Sequence, residues 1–396
     1  MAEWIECKIS DLGTVVGGAT PSTKKAENYE GGNIAWITPK DLSIFSGRYI
    51  QCGERNVTEI GLNSCSAQLL PRNTVLFSSR APIGYIAIAA NELCTNQGFK
   101  SVIPNSATDP LFLFYLLKYN KKNIENMGSG TTFKEVSGNT MKNIMVKVPV
   151  DKKVQEKIAS ILGILDEKIE ENEKINDNLE QQARAFFQKL FVDESRPEWK
   201  NGTIADLGTV IGGSTPSKAK PEYYTEAGIA WITPKDLSLN KSKFITHGEK
   251  DITELGLKNS SAVIMPKGTV LFSSRAPIGY IAITADEVTT NQGFKSVVPK
   301  SEIGTAFVYF FLKHNLLIIE GMASGSTFKE VSGATMKSVP AIIPDPDTLA
   351  RFNDFCAPIF DEQQVLEEQN QSLATLRDNL LPRLISGELD VSNIDF

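Results

Sequence analysis

The sequence predicts an α+β protein made of two copies of one mixed domain, each copy followed by a long helix. Three observations carry this. Residues Asp11 to Pro149 map onto Asp206 to Pro344 at a constant offset of 195 with no gap. Each copy holds short strand-like runs bounded by Pro and Gly, together with one apolar helical stretch. After each copy comes a long segment rich in Glu, Lys, Gln and Asn in which apolar residues recur every seven positions.

The duplication is strongest in three blocks. Ile34 to Ser43 (IAWITPKDLS) equals Ile229 to Ser238, Thr74 to Ile88 (TVLFSSRAPIGYIAI) equals Thr269 to Ile283, and Thr132 to Gly138 (TFKEVSG) equals Thr327 to Gly333. A period this long excludes a solenoid, whose units run to about 20–50 residues. Val75 to Ser78 and Tyr85 to Ala89 read as strands. Asp109-Pro110 opens the apolar stretch LFLFYLLKYN, with Asp placed to cap a helix and Pro to occupy its first turn.

In the first long segment, Val154 to Leu190, the stripe is Ile158, Leu165, Asn172, Leu179 and Phe186; in the second, Phe352 to Leu384, it is Phe352, Ile359, Leu366, Leu373 and Leu380. Matching stripes predict that the two helices pair. Lys168, Gln182 and Lys189 in the first helix, and Glu362, Gln369 and Arg383 in the second, stand where a strict leucine zipper needs apolar residues. Asn172 in the apolar row is the kind of residue that sets register at some expense of stability. Two amphipathic helices packed separately on their own domains are the alternative.

Pro149 and Asp151 precede the first helix, and Pro344, Asp345 and Pro346 the second; Ser386-Gly387 should end the second, with Pro382 kinking or fraying it just before. The expected division is therefore 1–150, 151–192, 193–345 and 346–396.

The chain has 396 residues, 41% hydrophobic and 22% charged, a balance that places it among globular proteins. Its longest apolar run, Leu111 to Leu117, is too short to span a membrane, and MAEWIECKIS has charges where a signal peptide needs an apolar core. A cytoplasmic protein with no membrane partner is expected. Cys7, Cys52, Cys65, Cys94 and Cys356 form no CxxC pair, which points to buried free thiols rather than a zinc site or a disulfide framework. The net charge of −6 is unevenly spread: +3 over 1–150, −2 over 151–192, zero over 193–345 and −7 over 346–396. The acidity lies in the helical segments, so the duplicated domains remain free to carry positive faces, and on its own the chain is expected to bind DNA modestly.

Catalytic signatures are missing. There is no GxxxxGK[ST], GxGxxG or HExxH, and no Asn/Asp-Pro-Pro-aromatic tetrapeptide of the kind amino-methyltransferases use. The two histidines, His247 and His314, have no counterparts in the other copy, whereas a duplicated enzyme would duplicate its active site. Neither a catalytic residue nor a metal ligand is expected in this chain.

The candidate DNA-binding residues are the polar groups at matching positions: Lys40 and Lys235, Arg80 and Arg275, Lys100 and Lys295, Lys134 and Lys329, together with Thr131, Thr132, Ser326 and Thr327. Cations beside small residues suit phosphate contact, because backbone N–H groups can approach while the charge is neutralised. The same blocks could equally be turns that hold the fold. Gly84, Gly279, Gly98 and Gly293 read as backbone devices, and Trp36 and Trp231 as core before base-stacking groups. If the copies read different sequences, the difference should lie where they diverge: 44–52 against 239–247, 63–70 against 258–265, and 121–126 against 316–321.

The blocks WITPKDLS, LFSSRAPIGYIAI, TNQGFKSVIP and GSGTTFKEVSG...MKNIMVKVPV, the helix after them, and the closing LRDNLLPRLISGEL together resemble the specificity (S) subunit of type I restriction-modification enzymes over nearly the whole chain. The resemblance implies two target recognition domains, each reading half of a bipartite double-stranded DNA site, separated by two long helices forming an antiparallel coiled coil that acts as a ruler of up to about 55 Å. It also implies a non-catalytic chain that docks two methyltransferase (M) subunits and, in complexes that also cut, two restriction (R) subunits. No cofactor is implied for this chain; S-adenosylmethionine, and ATP and Mg for restriction, belong to the partners. Recognition domains in this family are commonly dissimilar, whereas these are close copies, so a palindromic or nearly palindromic target is expected. The alternatives are the DNA-recognition subunit of another methyltransferase-based phage-defence system, and a coiled-coil adaptor that does not bind DNA.

Overall fold

A computed structural model describes residues 2–130, 134–325 and 329–392. The chain divides into two compact units, one of Met1–Glu171 with Asn370–Phe396 and the other of Asn172–Gln369, so that each unit takes part of both long helices.

Among the described residues the first unit has ten strands: β1 (Trp4–Lys8), β2 (Gly13–Gly17), β3 (Ile34–Ile37), β4 (Tyr49–Ile50), β5 (Arg55–Val57), β6 (Val75–Ser79), β7 (Ile83–Ala89), β8 (Cys94–Thr95), β9 (Lys100–Pro104) and β10 (Met145–Pro149). They form a five-stranded sheet in the order β2-β9-β6-β7-β4, a three-stranded sheet β5-β3-β8, and the antiparallel pair β1-β10. Every residue of β6 is buried, which is why it reads as a continuous apolar and small-residue run rather than an alternating one. The helix Pro110–Asn126 starts as its sequence dictates, with the Asp109 carboxylate accepting the Phe112 N–H at 2.7 Å and Pro110 in the first turn. Phe112 to Leu117 are all buried, because this helix lies under β7 on one side and meets the long helices on the other.

The central helix runs over Lys152–Gln188 and the C-terminal helix over Pro346–Ile385. Within the first unit they run antiparallel, and the Arg377 guanidinium donates to the buried Asp166 carboxylate at 2.6 Å. Tyr115 donates to the other oxygen of Asp166, also at 2.6 Å. The domain is seated on the helix by Arg48, just before β4. Its backbone N–H and Nε donate to Glu170 Oε1 at 3.0 and 2.9 Å, its Nη2 to Glu170 Oε2 at 3.1 Å, and its Nη1 to the Gly163 carbonyl at 3.0 Å. Burial works against the Arg48 charge, but the Glu170 carboxylate outweighs it and raises the pKa. Gly163 leaves little room here: a Cβ would lie 3.1 Å from Leu111 and 3.4 Å from the guanidinium.

The second unit repeats this plan. Its five-stranded sheet has the order 208–212, 295–299, 270–274, 278–284, 244–245, and its smaller sheet gains an edge strand, Tyr224–Thr225. The apolar helix is shorter, Thr305–His314, and is preceded by Gly304 at φ +83° where the first unit has an Asp cap. The helices are again antiparallel: Asn172 is fully buried and donates to Gln369 at 3.4 Å, and Phe186 packs on Phe352 and Phe355 with ring centroids 6.0 and 4.5 Å apart. Lys243, the counterpart of Arg48, makes a different seat. Glu367 accepts the backbone N–H groups of Lys243 and Phe244 at 2.7 and 2.9 Å, while the ammonium donates to Glu180 at 2.9 Å and Gln363 at 2.7 Å and sits 3.4 Å from the centroid of Phe360. Burial pushes the Lys243 pKa down to about 8 against the pull of Glu180.

Three expectations are corrected. Pro382 does not fray the C-terminal helix, which continues through it to Ile385 because Leu381, Leu384 and Ile385 are buried in the first unit's core; Ser386 N then donates to the Pro382 carbonyl at 3.0 Å, and Gly387 at φ +80° makes the expected stop. The seven-residue stripes describe only part of each buried face, since Ala159, Leu162, Ala183 and Phe187 of the central helix and Cys356 and Phe360 of the C-terminal helix also turn inward against the domains. Of the five thiols, Cys94 and Cys356 are buried, Cys7 and Cys65 partly so, and Cys52 is exposed.

Glu170→Gln removes the charge that answers the buried Arg48, so the full chain should lose about 3 kcal/mol or more of stability in denaturant unfolding. A second expectation concerns acid. Asp345 caps the C-terminal helix by accepting from the Thr348 N–H and hydroxyl and from the Trp199 N–H, and its pKa falls from 3.8 to about 2. Because the folded value is the lower one, the stabilisation is full above the ordinary carboxylate pKa and is lost as pH falls through about 2. Asp345→Asn, which keeps the capping shape, should flatten that part of an acid-unfolding curve followed by circular dichroism.

Candidate nucleic-acid interface

The candidate surface is built around the end of β6. Arg80 follows its last residue, and the next residue, Ala81, is held at φ +49°, a left-handed conformation that non-glycine residues seldom adopt. The loop carrying Glu135 is tied to this corner: Val136 N donates to the Ser79 carbonyl at 2.9 Å, and Ser129 and Glu135 exchange backbone hydrogen bonds at 3.0 and 2.9 Å. The Glu135 carboxylate then meets Lys100 at 3.3 Å and Arg80 at 3.5 Å. The second unit reproduces the cluster, with Glu330 3.5 Å from Lys295 and 3.6 Å from Arg275, and with Ala276 at φ +49°.

Of the residues singled out from sequence, Arg80 with Lys100, and Arg275 with Lys295, are brought together, each pair sharing one carboxylate. The lysine of each pair is the more enclosed, its side chain 16% and 15% exposed. Lys40 and Lys235 are exposed and pair with Glu54 and Glu249. Lys134 and Lys329 are exposed, whereas Thr131, Thr132, Ser326 and Thr327 lie outside the described residues. Trp36 and Trp231 are buried, their N–H groups donating to the carbonyls of Ala19 and Ser214 at 3.2 and 2.9 Å. They are core, as weighed.

In the second unit the surface sinks into a cavity of about 830 Å³. Tyr224, Trp231 and Pro234 form apolar wall, and Lys218, Lys235, Lys250, Arg275 and Gln292 bring polar groups to it. The Tyr224 ring is fixed by its hydroxyl, which donates to the Pro216 carbonyl at 2.6 Å, and by an edge contact with Trp231. In the first unit Tyr29 is held the same way, by Pro21 at 2.7 Å and by Trp36, but there the Arg55 guanidinium lies 4.8 Å over its centroid.

Two kinds of residue escaped the sequence reading. Gln97 and Gln292 are exposed and interact with Thr20 and Thr215, and an amide offers the paired donor and acceptor that a base edge presents. The repeated TNQGF block contained the signal. Arg55 was missed because it aligns with Lys250, and a search for identical polar pairs discards such a position.

A family model for the type I restriction modification DNA specificity domain matches residues 1–181 and 197–364. The chain belongs to this family. It is 33% identical to the type I restriction enzyme MjaIX specificity subunit of Methanocaldococcus jannaschii, over 99% of this chain and 95% of that protein. It is also 24% identical to the HindI specificity subunit of Haemophilus influenzae, over 98% and 100%. The crystal structure of the type I restriction-modification S subunit from M. genitalium shares the fold, with a TM-score of 0.63 at 17% identity over 97% of this chain and 96% of that one. The chain is thus a type I specificity subunit, a non-catalytic DNA-recognition component. Among the described residues no helix is long and apolar enough to cross a membrane.

If Arg80 and Lys100 serve DNA, Glu135 restrains them. Glu135→Gln should therefore tighten binding of the full chain to duplex DNA and steepen its dependence on log salt by about one unit, as fluorescence anisotropy would show.

Proposed function

We propose that this specificity subunit reads a bipartite, nearly palindromic double-stranded DNA target, one half-site per unit, and docks two adenine methyltransferase subunits on its long helices. The observation that carries the reading is the duplication of the candidate surface. Of the 16 residues lining the second unit's cavity, 13 are identical at the matching position of the first unit; the differences are Lys218 for Thr23, Pro221 for Ala26 and Lys250 for Arg55. Near-copies of one reading surface specify near-copies of one half-site. In the family's antiparallel arrangement those copies are inverted, which makes the target close to a palindrome.

The four-part division 1–150, 151–192, 193–345 and 346–396 then has a functional meaning: two readers and two helical segments. The central helix of 37 residues, at about 1.5 Å per residue, is a ruler of roughly 55 Å that fixes the spacer between half-sites. Arg80, Arg275, Lys40 and Lys235 meet the DNA, with Lys100, Lys295, Lys134, Lys329 and the Thr and Ser residues at 131, 132, 326 and 327 as supporting phosphate contacts. S-adenosylmethionine is bound by the methyltransferase subunits, which take an adenine out of the duplex to modify it. ATP and Mg serve the restriction subunits where these join, and the complex works in the cytoplasm.

The test is a map of methylated adenines in a methylation-free host expressing the chain with its methyltransferase subunit, against that subunit alone. A bipartite motif that needs both chains is the expected result; methylation without this chain, or none from a soluble complex, would defeat the reading. Arg80→Ala should erode one half of the motif and Arg275→Ala the other.

A further inference from the structure

We infer that the two half-sites, alike elsewhere, differ at the base pair facing one corner of the reading surface: Arg55 in the first unit specifies a guanine there, and the second unit, with Lys218 and Lys250, does not fix the base. The inference rests on the DNA-reading function proposed above.

The corner is where the otherwise shared surface changes. In the first unit the Arg55 guanidinium lies over the Tyr29 ring, 4.8 Å from its centroid, and the ring cannot turn away because its hydroxyl donates to the Pro21 carbonyl at 2.7 Å and it makes an edge contact with Trp36. A guanidinium laid on a ring keeps its plane and its fork of N–H donors in a set direction. Such a fork matches the O6 and N7 acceptors of guanine in the major groove.

In the second unit the same tyrosine and tryptophan are in place, but no guanidinium covers them. Lys250 stands at the position of Arg55 and Lys218 at that of Thr23, and both line the cavity beside the Tyr224 ring. An ammonium is a compact charge on a flexible stem with no fixed fork. Two of them beside Lys235 favour a phosphate, which carries no sequence information. The exchange of Arg for Lys is conservative in charge and not in reading.

The experiment compares methylation motifs directed by the full chain with its methyltransferase subunit for the wild type, Arg55→Lys and Lys250→Arg. The wild type should give a G·C pair in one half where the other half tolerates more than one base. Arg55→Lys should lower discrimination at that pair about tenfold. Lys250→Arg, which leaves the first unit untouched, should narrow the relaxed half towards G·C. Half-sites identical at every position would overturn the inference while leaving the DNA-reading function standing. An unchanged motif from an active Arg55→Lys complex would do the same. Absence of any bipartite motif from the wild type would remove both.

Discussion

Each unit depends on one buried polar contact between a recognition domain and a helix. A glutamate reaches off the helix and accepts the backbone N–H at the mouth of the strand before the sheet edge: Glu170 for Arg48, Glu367 for Lys243. Apolar packing alone holds a sheet against a helix without fixing where along the helix it rests, because the hydrophobic effect has no direction. The carboxylate supplies the direction. A slip of one helical turn would leave Arg48 or Lys243 buried with no partner, which costs several kcal/mol and excludes the slipped state. Everything the domain presents to DNA inherits its position from that contact.

The reading surface is organised by a similar economy of charge. Glu135 and Glu330 draw two cations to one point beside a loop tied to the end of a buried strand, so Arg80 and Arg275, the proposed DNA contacts, are held in a set place. Groups held in advance lose less entropy on binding. A chain with net charge −6 can still offer positive faces, because its acidity is concentrated in the helical segments while the cations are gathered at these corners.

Much of the fold was legible because it rests on local rules and on repetition. The constant offset of 195 gave the duplication, Asp109-Pro110 gave a helix start that the structure reproduces atom by atom, and Pro346 marked where the last helix begins. The seats were not legible. Arg48 and Lys243 differ in kind, and the glutamates that hold them stand 197 residues apart while the domains repeat at 195, so no alignment of the copies brings the partners into register. Pro382 does not fray the helix because burial of Leu381, Leu384 and Ile385 holds the last turn in place. In the candidate site, identity between copies singled out Arg80 and Lys40, but it could not show that Glu135 pairs with Arg80, and it discarded Arg55 for being different.

The two seats also bear on how such a chain can change its address. Seven residues before Glu170 stands Gly163, whose carbonyl receives the Arg48 guanidinium; seven residues before Glu367 stands Phe360, whose ring receives the Lys243 ammonium. A recognition domain transplanted from the first position to the second would carry a guanidinium into a socket shaped by an aromatic ring, and the reverse graft would bring an ammonium to a bare glycine. The domains are near copies in sequence and differ in how they are seated. Recombination that shuffles them must therefore exchange position 48 or 243 along with the helical residues that receive it, Gly163 and Glu170 for the first and Glu180, Phe360, Gln363 and Glu367 for the second.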